Sequence, residues 1–177
     1  MERKGRAMKT GASCCLGGLL VLVLICGSAS AQDIEQTRNA LRGLSGVFVT
    51  PENPLEEDAV RGGLSQANIR AEVERQLRHA GIRVLSREEW EQEPGKPYLQ
   101  VWPKVLKGGV LGGYMYHITV EFKQYVTLFR SPSVQVFGST WSTEYMGYTP
   151  ELRDIRDKMK ERIERFIDAY RSVNPKT

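Results

Sequence analysis

The stretch richest in residue types that could do chemistry is KGGVLGGYMYHITVEFKQYVTLFR, Lys107–Arg130, where four glycines fall within six residues. A glycine loop can turn backbone N–H groups onto a phosphate, but such cradles carry G-K-[ST] or open a helix whose dipole helps hold the anion. Neither holds here, because the glycines lead into an alternating β pattern. The loop therefore reads as a hairpin turn. The chain has two histidines. His79 falls in the last turn of an expected helix, where a cation suits the dipole. His117 falls on the wet face of an expected strand, beside Glu121 and, across the hairpin, Lys104. Glu88, Glu89, Glu91 and Glu93 surround Trp90 and read as solvated helix surface. Neither G-x-S-x-G, H-E-x-x-H nor a paired metal-ligand spacing occurs. Nothing identifies a carboxylate pair set across a cleft for glycoside hydrolysis. The residues therefore predict no catalytic, cofactor-binding or metal site.

The amino terminus has the form of an export signal. Arg3, Lys4, Arg6 and Lys9 precede an apolar run, Cys14–Cys26, and then Ala29-Ser30-Ala31, so cleavage is expected before Gln32. Thirteen apolar residues are short of the roughly 20 that span a bilayer. A lipid anchor fits poorly, since Cys26 follows Ile25 rather than a small residue. The expected division is a signal peptide, residues 1–31, and one domain, residues 32–177. Of 25 Lys+Arg four lie in the signal, and of 21 Asp+Glu one does, leaving 21 against 20 and a net charge of +1. The basic balance thus belongs to the signal, and the mature chain carries no electrostatic footprint for nucleic acid. Cys14, Cys15 and Cys26 leave with the signal, so the exported domain must stand on its hydrophobic core without disulfides. Periplasmic or secreted residence follows, with no transmembrane anchor after cleavage.

The elements that position these residues follow from periodicity. VFVT, residues 47–50, reads as a strand. A helix is expected from the N-cap Ser65, with Leu64 stapling onto Ile69, a stripe of Ile69, Val73 and Leu77, and a stop at Gly81. IRVL, residues 82–85, reads as a second strand, and Ser86 with Glu89 as a capping box. Between residues 116 and 128, Tyr116, Ile118, Val120, Phe122, Val126 and Leu128 hold even positions and His117, Thr119, Glu121, Lys123 and Thr127 odd ones, the mark of a half-buried strand. Pairing Lys107 with Tyr114 sets Val105 against Tyr116, Val101 against Val120 and Leu99 against Phe122, apolar facing apolar throughout. A three-residue turn at Ser131–Ser133 would pair Arg130 with Val134, Leu128 with Val136 and Val126 with Gly138; a four-residue turn would invert the last strand's faces. Thr149 and Pro150 are expected to open a final helix striped by Leu152, Ile155, Met159, Ile163, Phe166 and Tyr170.

The expected fold is α+β, a two-layer sandwich. A mixed, mostly antiparallel sheet of five strands carries two helices on one face. The three-residue turn puts Tyr98, Lys123 and Trp141 in one row on the outer sheet face. Gln100, Glu121 and Thr143 follow, then Trp102, Thr119 and Tyr145, with Phe129 and Phe137 toward the far end. Tyr98, Trp102, Lys123, Trp141 and Tyr145 are thus the candidate interaction face, against the alternative that these rings only stabilise a solvated sheet.

LRHAGIRVLS (residues 77–86), PYLQV (97–101), Thr140-Trp141 and FIDAY with Asn174 downstream resemble a family of small bacterial exported proteins. The helix-to-strand join is similar to the amino-terminal domain of the TolB translocation protein and related envelope-assembly modules. The resemblance implies periplasmic residence and a protein partner in the cell envelope, and it carries no catalytic residue. The expected function is a non-catalytic periplasmic interaction or envelope-assembly module. The alternative is a carrier or enzyme with a pocket between helices and sheet, which a cavity of several hundred Å³ would mark.

Overall fold

The computed structural model describes residues 32–109 and 112–175. The signal-peptide reading and the cut before Gln32 fall outside these residues, and so do Val110 and Leu111 of the glycine loop. Among the described residues no helix is long and apolar enough to cross a membrane.

The fold is α+β, built on a four-stranded mixed sheet in the order β1-β2-β3-β4. A short helix α1 (Glu35–Arg38) and a 3-10 turn lead to β1 (Phe48–Pro51). A turn of helix, α2 (Glu57–Ala59), precedes α3 (Gln66–His79) and α4 (Arg87–Gln92). Then come β2 (Tyr98–Lys107), β3 (Tyr114–Leu128), β4 (Ser131–Thr149) and α5 (Leu152–Val173). Strand β1 runs parallel to β2, and the other pairings are antiparallel. The expected fifth strand is absent: of IRVL only Val84 bridges, parallel to Val47. Its backbone is spent on β1, with Val47 N–H donating to Arg83 O (2.9 Å) and Leu85 N–H to Val47 O (3.0 Å).

Local signals explain the helices. Ser65 Oγ accepts from Asn68 N–H, and the buried Ile69, Val73 and Leu77 turn toward the sheet. Gly81 follows at φ 78°, the left-handed stop that an L side chain resists. Ser86 and Glu89 close a capping box around α4. α5 starts slightly later than expected, at Leu152. Glu151, not Thr149, takes the N-cap position, and no side chain caps the helix; Thr149 Oγ1 instead accepts from Glu151 N–H (3.1 Å) and donates to Asp154 Oδ2 (2.6 Å), tying the entry to the first turn.

The β2–β3 register agrees with the sequence pairing at every position, from Tyr98↔Lys123 to Lys107↔Tyr114. The β3–β4 hairpin does not. The chain turns at Phe129–Arg130 rather than Ser131–Ser133 and sets Leu128 against Ser131; an irregularity between Thr127 and Leu128 then passes over Pro132, Ser133 and Val134, so that Thr127 meets Gln135 and Val126 meets Val136. The register then shifts between Phe122 and Lys123, where Thr140 is the extra residue, so Phe122 meets Trp141 and Lys123 meets Ser139. Polar groups settle this bulge. Gln124 Nε2 donates to Thr140 Oγ1 (3.1 Å) and to Ala40 O (3.2 Å).

One extra residue flips everything after it. Trp141, expected on the outer face, is fully buried, with its ring edge-on to Phe166 at 5.3 Å between centroids. Tyr145 also turns inward, half-buried and stacked on Tyr116 at 6.0 Å. The core between sheet and helices is closed by Leu99, Val101, Ile118, Val120, Phe122 and Trp141 from the strands. Leu77 and Ile163 stand among the helical residues that meet them.

Candidate functional site

The sheet face away from α3 and α5 divides into two regions. At the distal end the rings form a ladder. Trp90 stacks on Phe48 (5.1 Å between centroids) and meets Tyr98 edge-on (6.4 Å). Tyr98 stacks on Phe137 (5.4 Å), and Phe137 meets Tyr125 (5.1 Å). Trp90 is therefore not solvated helix surface: it brings α4 down on the outer side of β1, with Lys96 and Arg87 over the ladder's edges. Burial raises the Tyr98 hydroxyl above its ordinary value, with Lys123 opposing. Lys123 pairs with Glu121 at 3.0 Å.

The proximal end has no such closure. Leu106 pairs with Met115 across β2–β3, and His117 with Met146 across β3–β4. Leu55, Leu106, Met115 and Met146 stand exposed there, and with Lys104, Tyr116 and His117 they line a cleft of about 200 Å³. Lys104 Nζ lies 3.7 Å from the centre of the Trp102 ring, on one side of the cleft. His117 Nε2 lies 3.0 Å from Glu144 Oε2, so its partner is Glu144 on β4 and not Glu121. The β2–β3 ladder sets Leu106 and Met115 opposite one another on the outer face. Leu55 sits in a loop and carries no periodic signal, and Met146 depends on the bulge.

The structure therefore keeps Tyr98, Trp102 and Lys123 on the outer face and separates them. Tyr98 and Lys123 have partners within the distal ladder, while Trp102 borders the proximal cleft. His79 lies in a different, charged groove of about 360 Å³ between α3 and α5, with Arg75, Lys160, Glu164, Asp168 and Arg171. That groove opens on the outer side of the helices rather than between helices and sheet. Arg162 of α5 is nine-tenths buried against Tyr145, and burial, with Arg165 nearby, lowers its pKa. Among the described residues no group of three or more His, Cys, Asp or Glu is placed to hold a metal.

No family model, curated protein or solved structure matches the chain.

Proposed function

We propose that the protein is an exported, non-catalytic interaction module of the bacterial cell envelope, which holds a protein partner against the proximal half of its outer sheet face. The observation that carries this reading is the cleft of Leu55, Leu106, Met115 and Met146, whose side chains are exposed although the fold has sheet and helix to spare. Thioether side chains adapt to varied apolar surfaces, and a polar rim of Lys104, His117 and Glu144 would orient what docks. The interior supports this over a carrier or an enzyme with an interlayer pocket. Phe122, Trp141 and Phe166 fill that space and are fully buried. The export signal and the resemblance to envelope-assembly modules support the periplasmic location and the class of partner.

The test is crosslinking and affinity capture from the envelope fraction with the wild type and with Leu106→Asp/Met146→Lys. These side chains are exposed, so the melting temperature should hold while capture of a defined envelope protein falls at least about tenfold, the size of an interface core contact. An unchanged captured set overturns the docking face. An intact mass retaining residues 1–31 overturns the location.

A further inference from the structure

The two edges of the sheet are treated very differently. The edge of β1 is covered: Val49 O accepts from Arg70 Nη1 (2.6 Å), Pro51 O from Gln66 Nε2 (2.6 Å), and Val47 exchanges bonds with residues 83–85. The opposite edge is the outer side of β4, a strand of 19 residues. Its first part, with the end of β3, projects beyond the helices as an arm exposed on both faces. One face shows Tyr125 and Phe137, the other Val126 and Val136. Val134 is 43% and Val136 37% exposed, and among the described residues nothing pairs with the outward edge from Ser133 to Gly138.

Unpaired strand edges template the addition of another strand, and proteins usually blunt them with charge. This one is not blunted. From Ser131 to Thr143 there is no charged residue, and from Gln124 to Thr143 only Arg130, in a chain that is 26% charged. The irregularity over Pro132, Ser133 and Val134 and the bulge at Thr140 confine the regular part of the bare edge to residues 135–139, about the length of an ordinary strand.

We infer that this edge pairs with a second copy of the same chain, β4 against β4 in antiparallel fashion, to form a two-fold dimer with one continuous eight-stranded sheet. This does not rest on the proposed partner cleft, which lies at the other end of the outer face. The sequence of the edge selects the occupant. In an isologous contact each residue meets its own neighbourhood, so any charge near the axis would face its copy. The absence of charge over 13 residues removes that penalty. A foreign strand would be chosen by side-chain pockets, and the clefts described above all lie elsewhere.

Symmetry restricts the register. A two-fold axis normal to the sheet reverses the strand and keeps each face on its own side, so paired residue numbers must sum to an even number. Within the regular stretch 135–139, an axis at Val136 sets that residue against its own copy. The two copies of Val136 then meet on one face, opposite the face carrying Phe137.

Sedimentation velocity over about a hundredfold range of concentration reads the association directly. A shift from one chain mass to two is expected. Val136→Lys sets two ammonium groups across the axis and should raise the dissociation constant about tenfold or more. Its melting curve, read by circular dichroism, checks that the monomer still folds. With Cys14, Cys15 and Cys26 changed to serine or removed with the amino-terminal segment, Gln135→Cys or Val136→Cys should form a self-disulfide on mild oxidation, and Thr119→Cys should not. A single-chain mass at every concentration, a Val136→Lys dimer as tight as wild type, or crosslinks only to another protein would overturn the inference.

Discussion

The indole Nε1–H of Trp141 donates to Oδ1 of Asp33 at 2.9 Å, across 108 residues of chain. The same carboxylate accepts from Arg38 Nε (2.6 Å) and Nη2 (2.9 Å). A buried indole N–H needs such a partner. It finds one only because the amino-terminal turn lies against the carboxyl half of β4.

This relationship makes stability depend on pH. Desolvation alone would raise the Asp33 pKa, but the hydrogen bonds from Arg38 and Trp141 and the charges of Arg38 and Arg165 outweigh it and hold it below the ordinary value. A carboxyl depressed in the folded state stabilises above its unfolded pKa, about 3.9, and loses that contribution as pH falls through the folded value. Asp33→Asn should therefore be less stable than wild type at neutral pH, with the gap closing in acid. Urea midpoints of the two proteins across that range check it. A gap that stays constant would mean that the carboxylate's charge contributes nothing.

Trp141 and Trp102 should respond oppositely to truncation. Trp141 is fully buried between Phe166 and Asp33, so Trp141→Ala should cost about 3–5 kcal/mol. Phe122→Ala and Ile163→Ala remove neighbouring core volume and should cost about 2–5 kcal/mol each. Trp102 is half exposed beside Lys104, and Trp102→Ala should shift the denaturant midpoint little. Equal losses for the two tryptophans would contradict the bulge at Thr140.

That bulge marks the limit of what periodicity can convey. The β2–β3 ladder was legible because one short loop joins two alternating runs, and a single parity decides every pair. Helices α3 and α5 were legible because each couples an apolar stripe to a local cap. The face of Trp141 was not, since it depends on the turn, on the irregularity between Thr127 and Leu128, and on an inserted Thr140 held by Gln124, and no turn residue or break in the pattern announces them. IRVL has a strand's composition, yet most of it serves as cover for β1. Trp90 was hidden among four glutamates, although Phe48, the residue it covers, lies in the first strand. Tyr98, Trp102 and Lys123 accordingly lie on the outer sheet face, as the β2–β3 parity expects, whereas Trp141 and Tyr145 turn inward.

The glycine loop should be sensitive at one end. Gly112 and Gly113 both have positive φ, 68° and 62°. A Cβ at Gly112 would meet nothing within 4 Å, whereas one at Gly113 would lie 2.7 Å from Thr149 O and 2.8 Å from Tyr148 Oη. Gly112→Ala carries only the left-handed penalty, about 1–2 kcal/mol. Gly113→Ala adds a collision with β4 backbone that cannot rotate away, so its denaturant midpoint should fall further. Equal effects would mean that the hairpin end is not held against Thr149.

The carboxyl end of α5 closes the domain through one amide. Asn174 Nδ2 donates to Leu41 O (2.8 Å) and Tyr170 O (2.9 Å), while Asn174 Oδ1 accepts from Gly43 N–H (2.8 Å). Donor and acceptor are used together, and Leu41 is fully buried. Arg171 Nη2 donates to Ala80 O (3.0 Å), so the same helix end also ties down α3. Asn174→Ala leaves the Leu41 carbonyl and the Gly43 N–H without those partners; Gly43 is exposed and its N–H can turn to water, but leaving the carbonyl of the buried Leu41 unpaired costs about 1–3 kcal/mol. Asn174→Asp keeps the acceptor for Gly43 but replaces the donor with a carboxylate oxygen facing the Leu41 carbonyl, so it should be at least as damaging. Hydrogen exchange at residues 41–44 separates this from a general loss of helix. Protection there should fall in both variants while that of Val120 and Phe122 in the sheet is kept. Loss of protection spread evenly over the sheet would show that Asn174 acts on the whole fold rather than on this clasp.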